Sequence, residues 1–234
     1  VGSTSAAWTQ TVDRAASTTT LAGLPNPSRY GAPVTLTVAV SASDGIPTGT
    51  VSLSDGGAFL GTCSLTSGGA CTFSTAALTT GTHALTALYS GDTLRYDSVS
   101  AALTQTVTRA PTTTSLASSQ NPAPYGASVT FTITVTSGDG IPTGSVSLSD
   151  GSTTVGTCSL TSGGACTITS NALSVGDHPL VARYPGDANR TASDSTTLTE
   201  TIVRATTTTT LSTSAATVAW GTTLTYTATV SSAG

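Results

Sequence analysis

The sequence predicts an all-β chain of tandem two-sheet sandwiches, with about seven strands in each 95-residue unit. Three observations carry this reading. The chain repeats with a fixed period: Cys63 and Cys71 recur as Cys158 and Cys166, Tyr30-Gly31 as Tyr125-Gly126 and then Trp220-Gly221, and 54 of 95 positions are identical between residues 14–108 and 109–203. Apolar and polar residues alternate at the strand period of two, and no helical period competes. Finally, Thr supplies 53 and Ser 33 of the 234 residues, and Thr suits strands far better than helices.

Taken in order, Leu21 opens the first strand of a unit. Val34, Leu36, Val38 and Val40 alternate along the next, repeated as Val129, Phe131, Ile133 and Val135, and again as Leu224, Tyr226, Ala228 and Val230. Val51 and Leu53 lead into the Asp55-Gly56 turn, and a Cys-bearing hairpin follows with Ser-Gly-Gly at its tip. Leu85, Ala87 and Tyr89 run to Gly91-Asp92, and Leu103 to Val107 end the unit. Turn signals at about 8–12-residue spacing favour a sandwich. The aromatic residues are assigned to the core: Tyr30 and Tyr125, aligned with Trp220; Tyr89 and Tyr184; and Trp8, whose equivalents are Leu103 and Leu198.

The repeat also sets the domain boundaries. Residues 14–108 and 109–203 are complete units, residues 1–13 match the end of a unit and residues 204–234 match the beginning of one. The first segment is therefore read as the last strand of a preceding repeat and the last as the first strands of a following repeat. Further polypeptide is expected to complete both. Charged residues make up 8% of the chain, the net charge is −4 and Lys is absent. Nucleic acid and anionic membranes recruit clustered Lys and Arg, so neither is expected as a partner. No apolar run reaches the length of a membrane span, and no membrane contact by this segment is expected.

The segments YGAPVTLTVAV, GIPTGTVSLSDG, LTTGTHALTALYSGD and SAALTQTV, with their counterparts in the second copy, resemble the bacterial immunoglobulin-like repeats of large secreted and cell-surface proteins. The resemblance covers essentially the whole chain. It implies immunoglobulin-like β-sandwiches used as stalk, spacer or adhesive module, generally without catalytic residues. The Cys pair in each repeat departs from the commoner pattern of that family.

Cys63 and Cys71 bracket SLTSGGA, and Cys158 and Cys166 bracket the same seven residues. A disulfide within each repeat is the first reading, with the two cysteines facing each other across a hairpin. Such a bond would pin the hairpin and would not join the two sheets. Buried free thiols and a metal site are the alternatives, but zinc wants four ligands and each unit offers two Cys and one His, His83 or His178. A disulfide requires an oxidising compartment, in keeping with an extracellular location.

Other candidates for chemistry have simpler readings. His83 and His178 stand at strand starts without a nucleophile motif and are read as structural. Asp44, Asp92, Asp139 and Asp187 are isolated acids, read as turn caps in preference to calcium ligands. The absence of Lys excludes Lys–Asn isopeptide crosslinks, and Gln10 and Gln105 give way to Glu200, so a Thr–Gln ester cannot occur in every copy. Asn189-Arg190-Thr191 is a lone sequon, and the Thr runs could accept O-linked sugars. Arg14, Arg109 and Arg204 recur at each junction, where a guanidinium can bind the adjoining domain; a solvated surface Arg is the alternative. The junctions lack a Gly/Ser tether, so neighbouring units are expected to stack in a restricted orientation.

These readings combine into a structural segment of a bacterial cell-surface or extracellular protein, a stalk, spacer or fibre without catalytic, cofactor or metal site. Its expected partners are neighbouring repeats, with identical chains in a filament as a variant. An adhesin-type module recognising carbohydrate or a host protein is the alternative.

Overall fold

The computed structural model describes residues 1–232; Ala233 and Gly234 lie outside the described residues. The chain forms two compact units, Val1–Ala110 and Pro111–Gly234. Every regular element among the described residues is a strand. In the first unit the strands are β1 (Ser17–Leu24), β2 (Ser28–Arg29), β3 (Val34–Ala42), β4 (Thr50–Asp55), β5 (Ala58–Ser64), β6 (Ala70–Thr75), β7 (Gly81–Tyr89), β8 (Ser98–Val99) and β9 (Leu103–Thr108). Seven of these are full strands; β2 and β8 are two-residue pieces.

They make two sheets, β1-β3-β6 and β2-β9-β7-β4-β5, with β8 also paired to β7. The alternation seen in the sequence decides which side chains meet between them. Val34, Leu36, Val38 and Val40 point inward from β3, and Val51, Leu53, Leu85, Ala87 and Tyr89 point inward from the other sheet; all are buried. The chain changes sheets early: β1 pairs antiparallel with β3, and after Pro25-Asn26-Pro27 the chain continues as β2, parallel to β9. Pro supplies no N–H, so a ladder ends naturally there.

The second unit repeats this plan with β10 (Thr113–Ser118), β11 (Ala123–Pro124), β12 (Val129–Thr136), β13 (Ser145–Asp150), β14 (Thr153–Ser159), β15 (Ala165–Ser170), β16 (Gly176–Tyr184), β17 (Ser193–Asp194) and β18 (Leu198–Val203). The sheets are β10-β12-β15 and β11-β18-β16-β13-β14. Beyond them, β19 (Thr207–Thr213) pairs antiparallel with β20 (Tyr226–Ser232) in the register that β1 and β3 use. Residues 1–13 form no regular structure and are exposed.

Part of the aromatic assignment needs correcting. Tyr89 and Tyr184 are fully buried and Tyr30 is half-buried against the core, but Tyr125, Trp8 and Trp220 are exposed. Trp8 lies outside any sheet, and a two-stranded sheet such as β19-β20 has no second layer to bury Trp220. Tyr125 stands one residue beyond the short β11, tied by its N–H to Val203 O, and its ring is exposed where the equivalent Tyr30 is half-buried.

One buried position differs in kind between the copies. Gln105 on β9 is fully buried and its Nε2 donates to Pro25 O at 2.9 Å, with Ser28 Oγ at 3.3 Å. Its Oε1 has no partner; the equivalent Glu200 is also fully buried, but it has no N–H to offer, neither of its carboxyl oxygens has a hydrogen-bond partner, and Ser28 is replaced by Ala123. A buried acceptor without a donor is destabilising. We therefore expect Glu200→Gln to raise the stability of the second unit by about 1–3 kcal/mol and Gln105→Glu to lower that of the first. Denaturant unfolding of the full chain checks this, and a destabilised Glu200→Gln protein would refute it.

Candidate functional site

The cysteines are paired as the spacing suggests, but in a different place. Cys63 bonds Cys71 with 5.8 Å between Cα atoms, and Cys158 bonds Cys166 with 5.9 Å. Cys63 lies on β5 and Cys71 on β6, which belong to different sheets and do not pair. The expected hairpin is an arch that carries the chain from one sheet to the other, so the disulfide crosses the sandwich instead of pinning one sheet. The turn hydrogen bonds Thr66 N–H to Ala70 O and Gly69 N–H to Thr66 O imitate a hairpin tip. The difference comes from outside: Gly69 O accepts from Val40 N–H of β3, and Leu65 N–H donates to Gly49 O, before β4. Gly69 has φ +71°, and a Cβ there would meet Val40 O at 2.7 Å, so the arch requires glycine.

A second constellation holds the loop end of each sandwich. Arg95 is buried; its Nε donates to Asp44 Oδ1 at 2.9 Å and its Nη1 to Asp92 Oδ2 at 3.1 Å. Asp92 also accepts from Leu94 N–H and Thr48 N–H, and the fully buried Tyr89 donates its hydroxyl to Thr48 O. Arg190, Asp187, Thr143 and Tyr184 repeat this, except that Arg190 Nη2 reaches the Asp139 carbonyl in place of a carboxylate. Burial alone would raise the pKa of Asp187. Donation from the Asn189 N–H and from the Thr143 N–H and hydroxyl outweighs it and lowers the value to about 2. Asp92 is lowered by the same balance. Asp92 and Asp187 cap turns as the sequence suggests, whereas Asp44 gives its carboxylate to Arg95 and Asp139 its carbonyl to Arg190; the buried arginines were not singled out, although the repeated Gly-Asp-x-x-Arg spacing was their signal.

The histidines form the third constellation, at the opposite ends of β7 and β16. His83 Nδ1 lies 2.6 Å from Asp55 Oδ2 and its Nε2 donates to Thr79 O at 2.8 Å; His178 meets Asp150 and Ser174 O at the same distances. A proton on each nitrogen satisfies both partners, which favours the imidazolium. For His83, burial opposes the charge, and the Thr79 carbonyl and Asp55 outweigh it; for His178, Asp150 is the leading cause of the raised pKa. Both ring nitrogens are committed to fixed partners, so neither is offered to a substrate or a metal.

Arg14, Arg109 and Arg204 are exposed, and no hydrogen bond or ion pair engages them among the described residues. No group of three or more His, Cys, Asp or Glu side chains among the described residues is placed to hold a metal. Among the described residues no helix is long and apolar enough to cross a membrane.

Two predictions follow from these contacts. Thiol labelling of the unfolded, non-reduced protein should find no free cysteine, and reduction should cost each unit about 2.5 kcal/mol, the loop-closure value for nine residues. Labelling at full stoichiometry would contradict the first part. The pH profile of stability should fall on both sides. The histidine contribution is complete below the unfolded imidazole value of about 6.5 and is lost as pH rises through the raised folded value. The Asp187 contribution is complete above the unfolded carboxyl value of about 3.9 and is lost as pH falls toward about 2. His83→Gln with His178→Gln should flatten the alkaline arm, and an unchanged arm would show that these contacts contribute nothing.

The profile of the bacterial Ig-like domain (group 3) matches residues 19–108 and 116–203. No curated protein sequence matches significantly. Solved structures to which this chain is similar include the fibronectin(III)-like modules of Clostridium thermocellum CbhA, 17% identical over 79% of this chain and 93% of that one, with a TM-score of 0.33. Another is a tetra-tandem repeat from the extending region of a large adhesion protein, 19% identical over 87% of this chain and 53% of that one, with a TM-score of 0.45. The matched segments span most of both sandwiches and more than half of the chain, and the chain belongs to the bacterial Ig-like domain (group 3) family.

Proposed function

We propose that this chain is a non-catalytic structural segment of a bacterial extracellular or cell-surface protein, in which tandem Ig-like units serve as stalk, spacer or fibre. The observation that carries the reading is how each unit ties its entering strand to its leaving strand. The chain enters through β1 and β2 and leaves through β9, and β2 and β9 run parallel. Opposed pulls on the two ends of such a pair load its hydrogen bonds together, in shear, instead of one after another.

The contact is reinforced by a side chain acting as backbone. Asn26 Nδ2 donates to Thr104 O at 2.7 Å and Asn26 Oδ1 accepts from Thr106 N–H at 3.0 Å. Tyr30 N–H donates to Thr108 O, and Thr108 Oγ1 to Ser28 O. Asn121 repeats the bridge to Thr199 and Thr201 at 2.6 and 3.0 Å. Both copies thus spend a polar side chain on the contact that tension would load. The cross-sheet disulfides support an oxidising, extracellular setting.

Single-molecule extension of the full chain tests this. The wild type should give two unfolding events, and Asn26→Ala with Asn121→Ala should lower the force of both. Unfolding at negligible force, or forces unchanged by the substitutions, would sink the load-bearing role.

One observation favours a second reading, a binding module. Leu88 and Val99, cross-strand neighbours on β7 and β8, are exposed in the first unit together with Leu94 and Tyr96. The same positions in the second unit are Arg183, Asp194, Asn189 and Thr191. Glycan-array binding that is lost in Leu88→Arg/Val99→Asp would establish that alternative.

A further inference from the structure

Each unit has one outer sheet face that none of these contacts uses. On the sheet β1-β3-β6, the cross-strand rows Ala22–Thr37–Thr72 and Thr20–Ala39–Ala70 face outward. On β10-β12-β15 the equivalent rows are Ala117–Thr132–Thr167 and Ser115–Thr134–Ala165. β19 and β20 continue the pattern with Thr210–Thr229 and Ser212–Thr227. No residue of these faces is charged, and Leu24 alone is larger than Thr.

The two copies treat their outer faces differently. On the β9-β7-β4 side the second copy exchanges Thr82 for Asp177, Leu88 for Arg183 and Val99 for Asp194. On the β1-β3-β6 side every exchange stays among Ser, Thr and Ala, apart from Leu24 for Ser119. Charge has entered one face and not the other. A groove also recurs beside the disulfide at equivalent positions, about 210 Å³ between Thr37, Thr66, Ala70 and Thr72, and about 430 Å³ between Thr132, Thr161, Ala165 and Thr167.

We propose that this hydroxyl face is a self-association surface, occupied by the same face of a second copy of the chain; the inference rests on the structural reading above and adds its partner. A hydroxyl both donates and accepts, so a hydroxyl face complements itself, whereas a face of one charge repels its own copy. No ion has to be desolvated when two such faces meet. The recurring grooves give a Thr methyl from the second copy a place to seat. Area sets the strength: three strands about 4.8 Å apart, each about eight residues long, present roughly 400 Å². A stable interface needs about 800 Å² per partner. One unit falls short, and a chain that engages both reaches the threshold, so association grows with the number of units engaged.

Sedimentation velocity of the full chain over a concentration series tests the proposal. The wild type should self-associate, with little change between about 0.05 and about 0.5 M salt, because no charges are paired. Thr37→Lys with Thr132→Lys should weaken association at least about a hundredfold by placing like charges together. Thr37→Glu with Thr132→Glu should do the same, and mixing the Lys and Glu proteins should restore it. Thr104→Lys with Thr199→Lys, on the opposite sheet, should associate like the wild type. All four substituted positions are exposed, so the fold does not depend on them. A wild type that is monomeric at every concentration, loss of association in the opposite-sheet variant, or failure of the mixture to recover would overturn the proposal. So would a monomeric chain that binds dextran through the same face. A monomer that still unfolds in two force-resistant steps would overturn the proposal while leaving the structural role standing.

Discussion

The bond between edge strands of opposite sheets is the constraint on which the rest of each unit depends. Each sheet has one apolar face, and two such faces stay together only if water is kept out at the sides. On one side the disulfide holds β5 against β6. Beside it Gly61 on β5 leaves room for Phe73 of β6: a Cβ at Gly61 would come within 2.4 Å of the Phe73 ring. Gly156 and Ile168 repeat the arrangement in the second unit. On the other side the chain closes the gap itself, because the segment that begins as β1 in one sheet ends as β2 in the other. Ser17 and Thr19 of β1 share the Ser98 hydroxyl of β8 at 2.7 Å, a polar seam along that side.

Much of this was legible in the sequence because strand alternation is a local signal. The buried side chains of β3 and β12 are the ones the pattern names, and the 95-residue repeat guarantees that both copies share a fold. The cysteine pairing was legible as well, but its position was not. A hairpin and a sheet-crossing arch can share the same Thr-Ser-Gly-Gly turn, and they differ only in long-range bonds such as Val40 N–H to Gly69 O. The same limit hid the role of Asn26, whose partners lie about 80 positions away in the chain. Side chains whose partners are set by topology cannot be read from spacing alone.

The two copies act as a comparison between sequences that share one backbone. Where contacts close the sandwich, the residue types are kept: the Cys pair, Asn26 and Asn121, Arg95 and Arg190, His83 and His178. Where a contact has a substitute, chemistry drifts. Asp44 contributes its carboxylate to Arg95, whereas Asp139 contributes its main-chain carbonyl to Arg190. At the Gln105 and Glu200 position the fold tolerates a carboxyl group without a donor, which shows how much the surrounding apolar packing already supplies.

The reinforcements also divide the work between two sides of the sandwich. The disulfide encloses only the residues between Cys63 and Cys71, on the β5–β6 side, far in the topology from the strands by which the chain enters and leaves. It restricts the unfolded chain and keeps the sheets from parting, which are equilibrium effects. The Asn26 bridge lies on the β2–β9 side, where a pull on the chain ends would first act. A domain selected only for equilibrium stability would gain most from the covalent link and little from a polar side chain at an exposed strand crossing. Both devices are present in both copies: one keeps the sheets from parting, and the other ties the strand by which the chain enters to the strand by which it leaves.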